Sequence, residues 1–419
     1  MRKSFGSFLL IATTCSILNT DFVKAEPTFY FGDEKKLTFF QMVQLWTIYG
    51  LKYDIPGEKN LKDNKADIYI RRGRFGFKGS IKKSLNFKIA FAYDNFGRDD
   101  LNPNDGARGS IKIDESRYSK IEVQDAYFLW KAYPELINFS IGYFRPQVGR
   151  ENITSGFSVI TLEKGLPNSY VRRHIIGKPI TGKGNASTNG RIFNLTMGGL
   201  LLKKYWSLNY NLSIGDDQNY TDKSNWSPLV AARVAVSLGD PEMKKYKLGY
   251  KQTYFGKRKG VTLSLNYAHQ GEGIDRAKNK KFDKNELYGV DILANYGPVD
   301  FVAEYDVLKR DWANNLGSYT DKVWEVRAGY LIKIGKQFIE PVVSYEKFKP
   351  DSNGNSIYGK KENTRYDIGI NWYINKQKLK VSLHYAYGEV KNYSNTNVTP
   401  PVTGKVKAGY IGLGLQFIF

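Results

Sequence analysis

From about residue 37 to Phe419 the chain repeats one unit, a run of roughly ten residues that alternates apolar and polar, with connectors that are long and short by turns. In Tyr205–Ile214, residues Trp206, Leu208, Tyr210, Leu212 and Ile214 face one way, and Ser207, Asn209, Asn211 and Ser213 the other. Val261–His269 repeats this, with Val261, Leu263, Leu265 and Tyr267 set against Thr262, Ser264, Asn266 and Ala268. A soluble sandwich could share that alternation, but not the connectors. Reading runs from 37–48, 66–79 and 85–95 through to 377–388 and 405–419, connectors after odd strands are long and most of those after even strands are short. Long loops on one side and tight turns on the other predict an all-β fold, a transmembrane antiparallel β-barrel of about sixteen strands. Gly297-Pro298 and Gly335 supply turn chemistry on the short side. The connector Gly239–Gly260 is too long for its side; an extra hairpin there or near Ile175–Gly182 would give about eighteen strands.

The N-terminus has Arg2 and Lys3, an apolar stretch around Phe8–Ile11, and Val23-Lys24-Ala25. This reads as a secretory signal peptide over 1–25, cut after Ala25. A lipoprotein signal at Cys15 fits less well, because Thr14 stands where Gly or Ala is expected. Residues 26–36 read as an N-terminal periplasmic segment and 37–419 as the barrel. Cys15 is the single cysteine, so a chain cut at Ala25 has no disulfide, thiolate nucleophile or cysteine-ligated zinc. After Ala25 no apolar run is long enough for a membrane helix, a test that a barrel escapes because only alternate residues meet lipid. Trp46, Tyr49, Trp130, Tyr133, Tyr296 and Trp372 stand toward strand ends, where interfacial girdles form. Phe419 ends the last strand with the terminal aromatic that barrel-assembly machinery reads. No linker or composition break interrupts the ladder, so it is one domain.

The formal charge is +22, and loss of Arg2, Lys3, Lys24 and Asp21 with the leader changes it little. Export and the lack of any zinc-finger or helix-turn-helix pattern argue against nucleic acid as partner. Two readings stay open: a lumen or mouth biased toward anions, or basic loops held against lipopolysaccharide and solvent. The alternation turns Phe75 and Phe77 to lipid, which puts Arg72, Arg74 and Lys78 in the lumen with Lys88, Arg233, Arg327, Arg365 and Lys380. Lumen-facing acids cluster on the later strands: Asp291, Asp300, Glu304, Asp306, Glu325, Glu340, Glu346 and Asp367. Such a wall is basic early and acidic late.

The connector at about 146–190 is by far the longest, and in so wide a barrel its natural place is folded into the lumen as a constriction. It carries Arg150, Lys164, Arg172, Arg173, Lys178 and Lys183 against Glu151 and Glu163, with Arg145 at its root. A basic constriction outweighs the wall, because field lines are focused where the aqueous section is smallest. A loop lying over the mouth against a neighbouring subunit is the alternative.

Three motifs carry a family resemblance: IYIRRGRFGFKG at Ile68–Gly79, the triplet Asp125-Ala126-Tyr127, and IGYFRPQVGRENITSG at Ile141–Gly156. They resemble the phosphate-selective porin O and P family. The resemblance implies a homotrimeric outer-membrane barrel whose inward loop and basic lumen residues guide anions. On that pattern Arg72 and Arg74 match the paired basics of the second strand, while Arg145, Pro146, Gly149, Arg150 and Glu151 match the opening of the constriction loop. Gln147 and Val148 stand where the family more often has a single aromatic, so the motifs specify family better than solute.

Catalysis is not expected. Only His174, His269 and His384 could serve as imidazole bases, and neither a G-x-S-x-G elbow nor an H-E-x-x-H pair occurs. Glu340 and Glu346 share a strand but stand about 20 Å apart, too far for a glycosidase pair. The expectation is a passive outer-membrane porin of a Gram-negative-type bacterium, without cofactor or metal. Small anions, phosphate or similar oxyanions among them, and polar solutes are its cargo, and lipid and lipopolysaccharide its surroundings. The cationic constriction is assigned to Arg72, Arg74, Arg145, Arg150, Lys164, Arg172 and Arg173, with Arg150→Glu expected to lower anion preference and neutralised Arg258 to be silent. A general porin and a structural or adhesive barrel are the alternatives.

Overall fold

A computed structural model describes residues 26–57, 66–98, 121–176, 190–216, 227–275, 280–395 and 399–419. The proposed leader, and Lys178 and Lys183, lie outside the described residues. Sixteen antiparallel strands form the wall: β2 (Lys35–Asp54), β3 (Ala66–Lys82), β4 (Leu85–Ala92), β5 (Glu122–Tyr133), β6 (Ile137–Phe144), β7 (Ile192–Leu202), β8 (Trp206–Asp216), β9 (Leu229–Gly239), β10 (Lys259–Gln270), β12 (Lys280–Tyr296), β13 (Val299–Trp312), β14 (Ser318–Tyr330), β16 (Gln337–Lys349), β17 (Glu362–Gln377), β18 (Leu379–Asn395) and β19 (Val402–Ile418). β19 pairs with β2, from Lys407 opposite Asp54 to Ile418 opposite Met42, and so closes the sheet. Closure leaves no open edge in lipid. Three short strands are additional: β1 (Thr28–Phe31) pairs with the start of β2, β11 (Gly273–Asp275) with β12, and β15 (Ile332–Ile334) with β16. The segment 26–36 thus begins with a small hairpin against the first wall strand.

The wall is inside-out relative to a soluble sheet. Along β10, Val261, Leu263, Leu265 and Tyr267 point outward and are exposed, whereas Thr262, Ser264, Asn266 and Ala268 are buried within. Lipid is the solvent for the first set, and each wall strand is hydrogen-bonded to a strand on either side. The short-side turns use the expected residues: Gly297 has φ +58° and Gly335 φ +59°, the left-handed region where a Cβ is disfavoured. The alternation breaks once with consequence. The β2–β3 ladder slips between Gln44 and Leu45, opposite Arg71, and this bulge turns both Arg71 and Arg72 inward. Strict alternation would have left the Arg71 guanidinium in lipid, a costly placement.

The long β6–β7 connector enters the barrel and carries two helices, α1 (Arg150–Ile153) and α2 (Leu166–Ile176). The β9–β10 connector, 240–258, contains no strand hairpin and also turns inward, from the short-turn side. Met243, Tyr246 and Tyr250 pack against Leu129 and Leu200 of the wall and Ile153 of the long loop. The sixteen-strand count therefore stands, and the length of this connector is used to fill lumen.

Candidate pore constriction

Helix α2 is held by apolar contact. Leu166, Tyr170, Val171 and Ile175 pack on Leu229, Ala231, Ala268, Leu287, Leu308, Val323 and Phe348, an apolar patch on the lumen face of β9 to β16. Tyr170 stacks on Phe348 with ring centroids 3.7 Å apart. In a water-filled barrel these lumen-phase positions would be polar, so Leu287, Leu308, Val323 and Phe348 are the sequence signal for where the loop lies.

Beside that patch runs a row of carboxylates. Asp291 pairs in register with Glu304, Glu304 with Glu325, and Glu325 with Glu346, across four adjacent strands. Like charges directly opposite destabilise a sheet, so this row requires external partners. The loop provides them. Arg150 donates to Asp291 at 2.7 Å, the Glu151 N–H to Glu304 at 2.6 Å, and the Leu166 N–H, at the start of α2, to Glu346 at 2.9 Å. Arg327 bridges Glu325 at 2.9 Å and Glu151 at 3.2 Å. Carboxylates here meet the otherwise unpaired N–H groups of helix starts.

The β9–β10 connector locks the same loop from below. Glu242 accepts two hydrogen bonds from Arg150, at 3.0 and 2.7 Å. Gln252 donates to Glu151 at 2.9 Å and accepts from the Ile160 N–H at 3.0 Å, and Tyr250 bridges to Thr154. Arg258 is buried here, donating to Thr262 and Asn295 at 2.6 and 2.8 Å. Arg258 is therefore part of the packed interior, where its neutralisation would remove bonds to Thr262 and Asn295 rather than be silent.

The seven predicted cations divide into two groups. Arg150 and Arg173 stand against the acidic wall, Arg173 donating to Asp275 at 3.0 Å. Arg72, Arg74, Arg145, Lys164 and Arg172 gather toward the opposite wall. Arg72 binds Glu163, which Arg71 also holds at 2.7 Å, and Arg74 binds Asp94 at 2.8 Å. Arg145 donates to the Asn152 carbonyl, and Lys164 to the Thr154 carbonyl at 2.8 Å and to Asn168 at 2.9 Å. Neither reaches a carboxylate among the described residues. Burial first, then Arg191 and Arg172, push the Arg145 pKa well below the usual arginine value; burial first, then Arg145, do the same for Lys164. Both groups are desolvated and crowded by other cations, with Asp125 near Arg145 and Glu151 near Lys164 as opposing charges.

The alternation missed three contributors. Arg191, just before β7, and Lys88 share Asp125, at 2.6 and 2.8 Å. Arg71 required the bulge, and Glu242 lay in a connector with no visible reason to enter the lumen. His384 contacts Asp367 at 2.6 Å and His174 the Glu286 carbonyl at 2.8 Å, and His269 stands 3.7 Å from the Glu286 carboxylate. Ser382 donates to Asn371 rather than to His384, so no nucleophile–base pair forms there.

The chain is similar to an uncharacterized protein of Aquifex aeolicus (strain VF5), 25% identical over 348 residues that cover 78% of this chain and 77% of that one. In fold it is similar to an anion-selective porin from Comamonas acidovorans, with TM-score 0.57 and 11% identity over 92% of this chain and 100% of that chain. It is likewise similar to OmpT, an outer membrane protein of Vibrio cholerae solved in a trimer form, with TM-score 0.52 and 14% identity over 92% of this chain and 100% of that chain. A family model described as phosphate-selective porin O and P matches residues 47–419, and the chain belongs to that family: it is an outer-membrane porin.

Proposed function

We propose that this porin passes small anions, oxyanions such as phosphate among them, in preference to cations, by passive diffusion past a cationic constriction. The observation that carries this reading is the division of charge. Carboxylates of β12 to β16 hold the loop, through Arg150, the Glu151 and Leu166 N–H groups, and Arg327. On the facing side Arg145 and Lys164 bond only neutral oxygens among the described residues, with Arg74, Arg172 and Arg191 as charged neighbours. Part of the acidic charge is thus engaged by the loop, while Arg145 on the facing side is only half-buried. Guanidinium groups offer an oxyanion fixed donors, and neighbouring cations let it leave by exchange rather than trapping it. Field focusing at the narrow section makes these few charges count for more than the mixed wall.

The same reading takes the protein as a homotrimer, with 1–25 as the export signal, in the outer membrane of a Gram-negative-type cell and in contact with its lipid and lipopolysaccharide. The trimeric form of a protein of similar fold supports the first point.

The test is the reversal potential of the purified protein in a planar bilayer under a potassium chloride gradient, repeated with added phosphate. A chloride-favouring potential with current reduced by phosphate is expected. A potential near zero would leave a general porin, and no conductance would return the structural barrel.

A further inference from the structure

A group of lysines lies neither in the lumen nor on the loop. It stands on the short-turn rim. Lys82 and Lys83 flank the β3–β4 turn, Lys203 and Lys204 the β7–β8 turn, and Lys336 and Lys376 the β14–β16 and β17–β18 turns; all six are exposed. The rim carboxylates have other neighbours: Glu26 pairs with Lys78, Glu34 stands 4.0 Å from Lys83, Glu135 accepts from the Tyr246 N–H and Asp240 from the Lys259 N–H, and among the described residues no ion pair engages Lys82, Lys203, Lys204, Lys336 or Lys376.

The depth of these lysines is fixed by their neighbours. Tyr205, Tyr296 and Tyr330 are outward-facing and more than half exposed, as is Ile334 beside Lys336. Such aromatics sit at the headgroup level of a bilayer. Lys204 lies with its ammonium 5.0 Å from the centre of the Tyr205 ring, so its stem runs along apolar surface toward the polar layer. The β9–β10 connector carries a second set of exposed lysines, Lys244, Lys245, Lys247 and Lys251. Those ride on a segment whose Met243, Tyr246 and Tyr250 pack on the lumen side, so they face the mouth and not the lipid. The two sets have similar charge and different surroundings.

We infer that the short-turn rim is a binding ring for anionic phospholipid headgroups of the periplasmic leaflet, with the rim lysines contacting the phosphodiesters. Zwitterionic headgroups are disfavoured, since each brings an ammonium against the lysines. A preference of roughly fivefold for each lysine engaged is the scale of such contacts. The site is independent of ion selectivity in the lumen.

The experiment uses the full-length protein in nanodiscs of phosphatidylethanolamine with a minor fraction of phosphatidylglycerol, and native mass spectrometry to count each lipid retained. The wild type is expected to retain phosphatidylglycerol several-fold above its share. The set Lys82→Gln, Lys83→Gln, Lys204→Gln, Lys336→Gln and Lys376→Gln should lose that enrichment, and Lys244→Gln, Lys245→Gln, Lys247→Gln and Lys251→Gln together should keep it. Should the rim set fold poorly, raising salt on the wild type from about 0.05 M to 0.5 M should strip the enrichment, because exposed charges are screened. Enrichment absent in the wild type, insensitive to salt, or lost equally from both variant sets would overturn the ring. Displacement of the lipid by millimolar glycerol phosphate would also overturn it, in favour of a soluble-anion site.

Discussion

Neutralising Arg145 is the sharpest probe of the constriction, because its charge meets no carboxylate among the described residues and its hydrogen bond goes to a backbone carbonyl. A monovalent ion passing at ~7 Å in a water-like dielectric gains or loses ~0.6 kcal/mol from one such charge. Chloride loses on Arg145→Gln what potassium gains, so the permeability ratio moves by ~1.2 kcal/mol, about sevenfold. At ~0.1 M salt the Debye length of ~10 Å cuts this roughly in half, leaving about threefold. The reversal potential across a potassium chloride gradient reads the ratio directly, and the shift should grow as salt is lowered. Lys360→Gln, on the exposed β16–β17 connector, is the reference. If both substitutions move the potential equally, Arg145 does not face the ion path and the reasoning fails. Arg150 is a poorer probe than its sequence position suggests. It is bound by Asp291 and Glu242, so Arg150→Glu would leave buried carboxylates unpaired and disturb the loop together with its charge.

Lys164 should make selectivity titrate: the ammonium is charged at low pH, so anion preference is expected to decline as pH rises, with a midpoint below the ordinary lysine value of ~10.4, and Lys164→Arg should flatten the profile. Glu346→Ala removes the acceptor of the Leu166 N–H and is expected to loosen α2 by roughly 2–4 kcal/mol, read as faster amide exchange in 166–176 with wall strands unchanged. His174 on α2 is pushed down to about 3, by burial first and Arg310 next. Its neutral form is the folded one, so protection of α2 should be complete above ~6.5 and fall as pH drops from there toward 3. His174→Asn should abolish that dependence, and an unchanged profile would place the acid sensitivity elsewhere.

The wall was legible because its period is local: each of the sixteen runs sits within a few residues of its strand, and the lumen-facing Arg233, Arg327, Arg365, Glu304 and Glu346 are all buried inside. Arg71 escaped because a bulge is a property of two strands in register, invisible in one of them. The pairing of the loop escaped for a similar reason. Arg150 and Asp291 stand 141 residues apart, and nothing local says which carboxylate a loop arginine will reach. One signal was present and unused. Leu287, Leu308, Val323 and Phe348 occupy lumen phase as apolar residues, a mark that something dry packs there. The 240–258 connector offered a fainter one, Met243, Tyr246 and Tyr250 among lysines, a pattern with one face to bury.

The meeting of the two inward segments decides what kind of aperture this is. A loop tethered only at its ends could swing as a flap. Here the long loop is joined to three wall carboxylates, Asp291, Glu304 and Glu346, stacked on Phe348, and joined from the opposite mouth by Glu242, Tyr250 and Gln252. Moving it would expose several buried charges at once, each at a cost of a few kcal/mol. Thermal motion does not supply that sum on the timescale of ion passage, so the geometry argues for a fixed bore. On the proposed reading selection rests on the charges of the constriction, while the carboxylates behind the loop keep those charges in place.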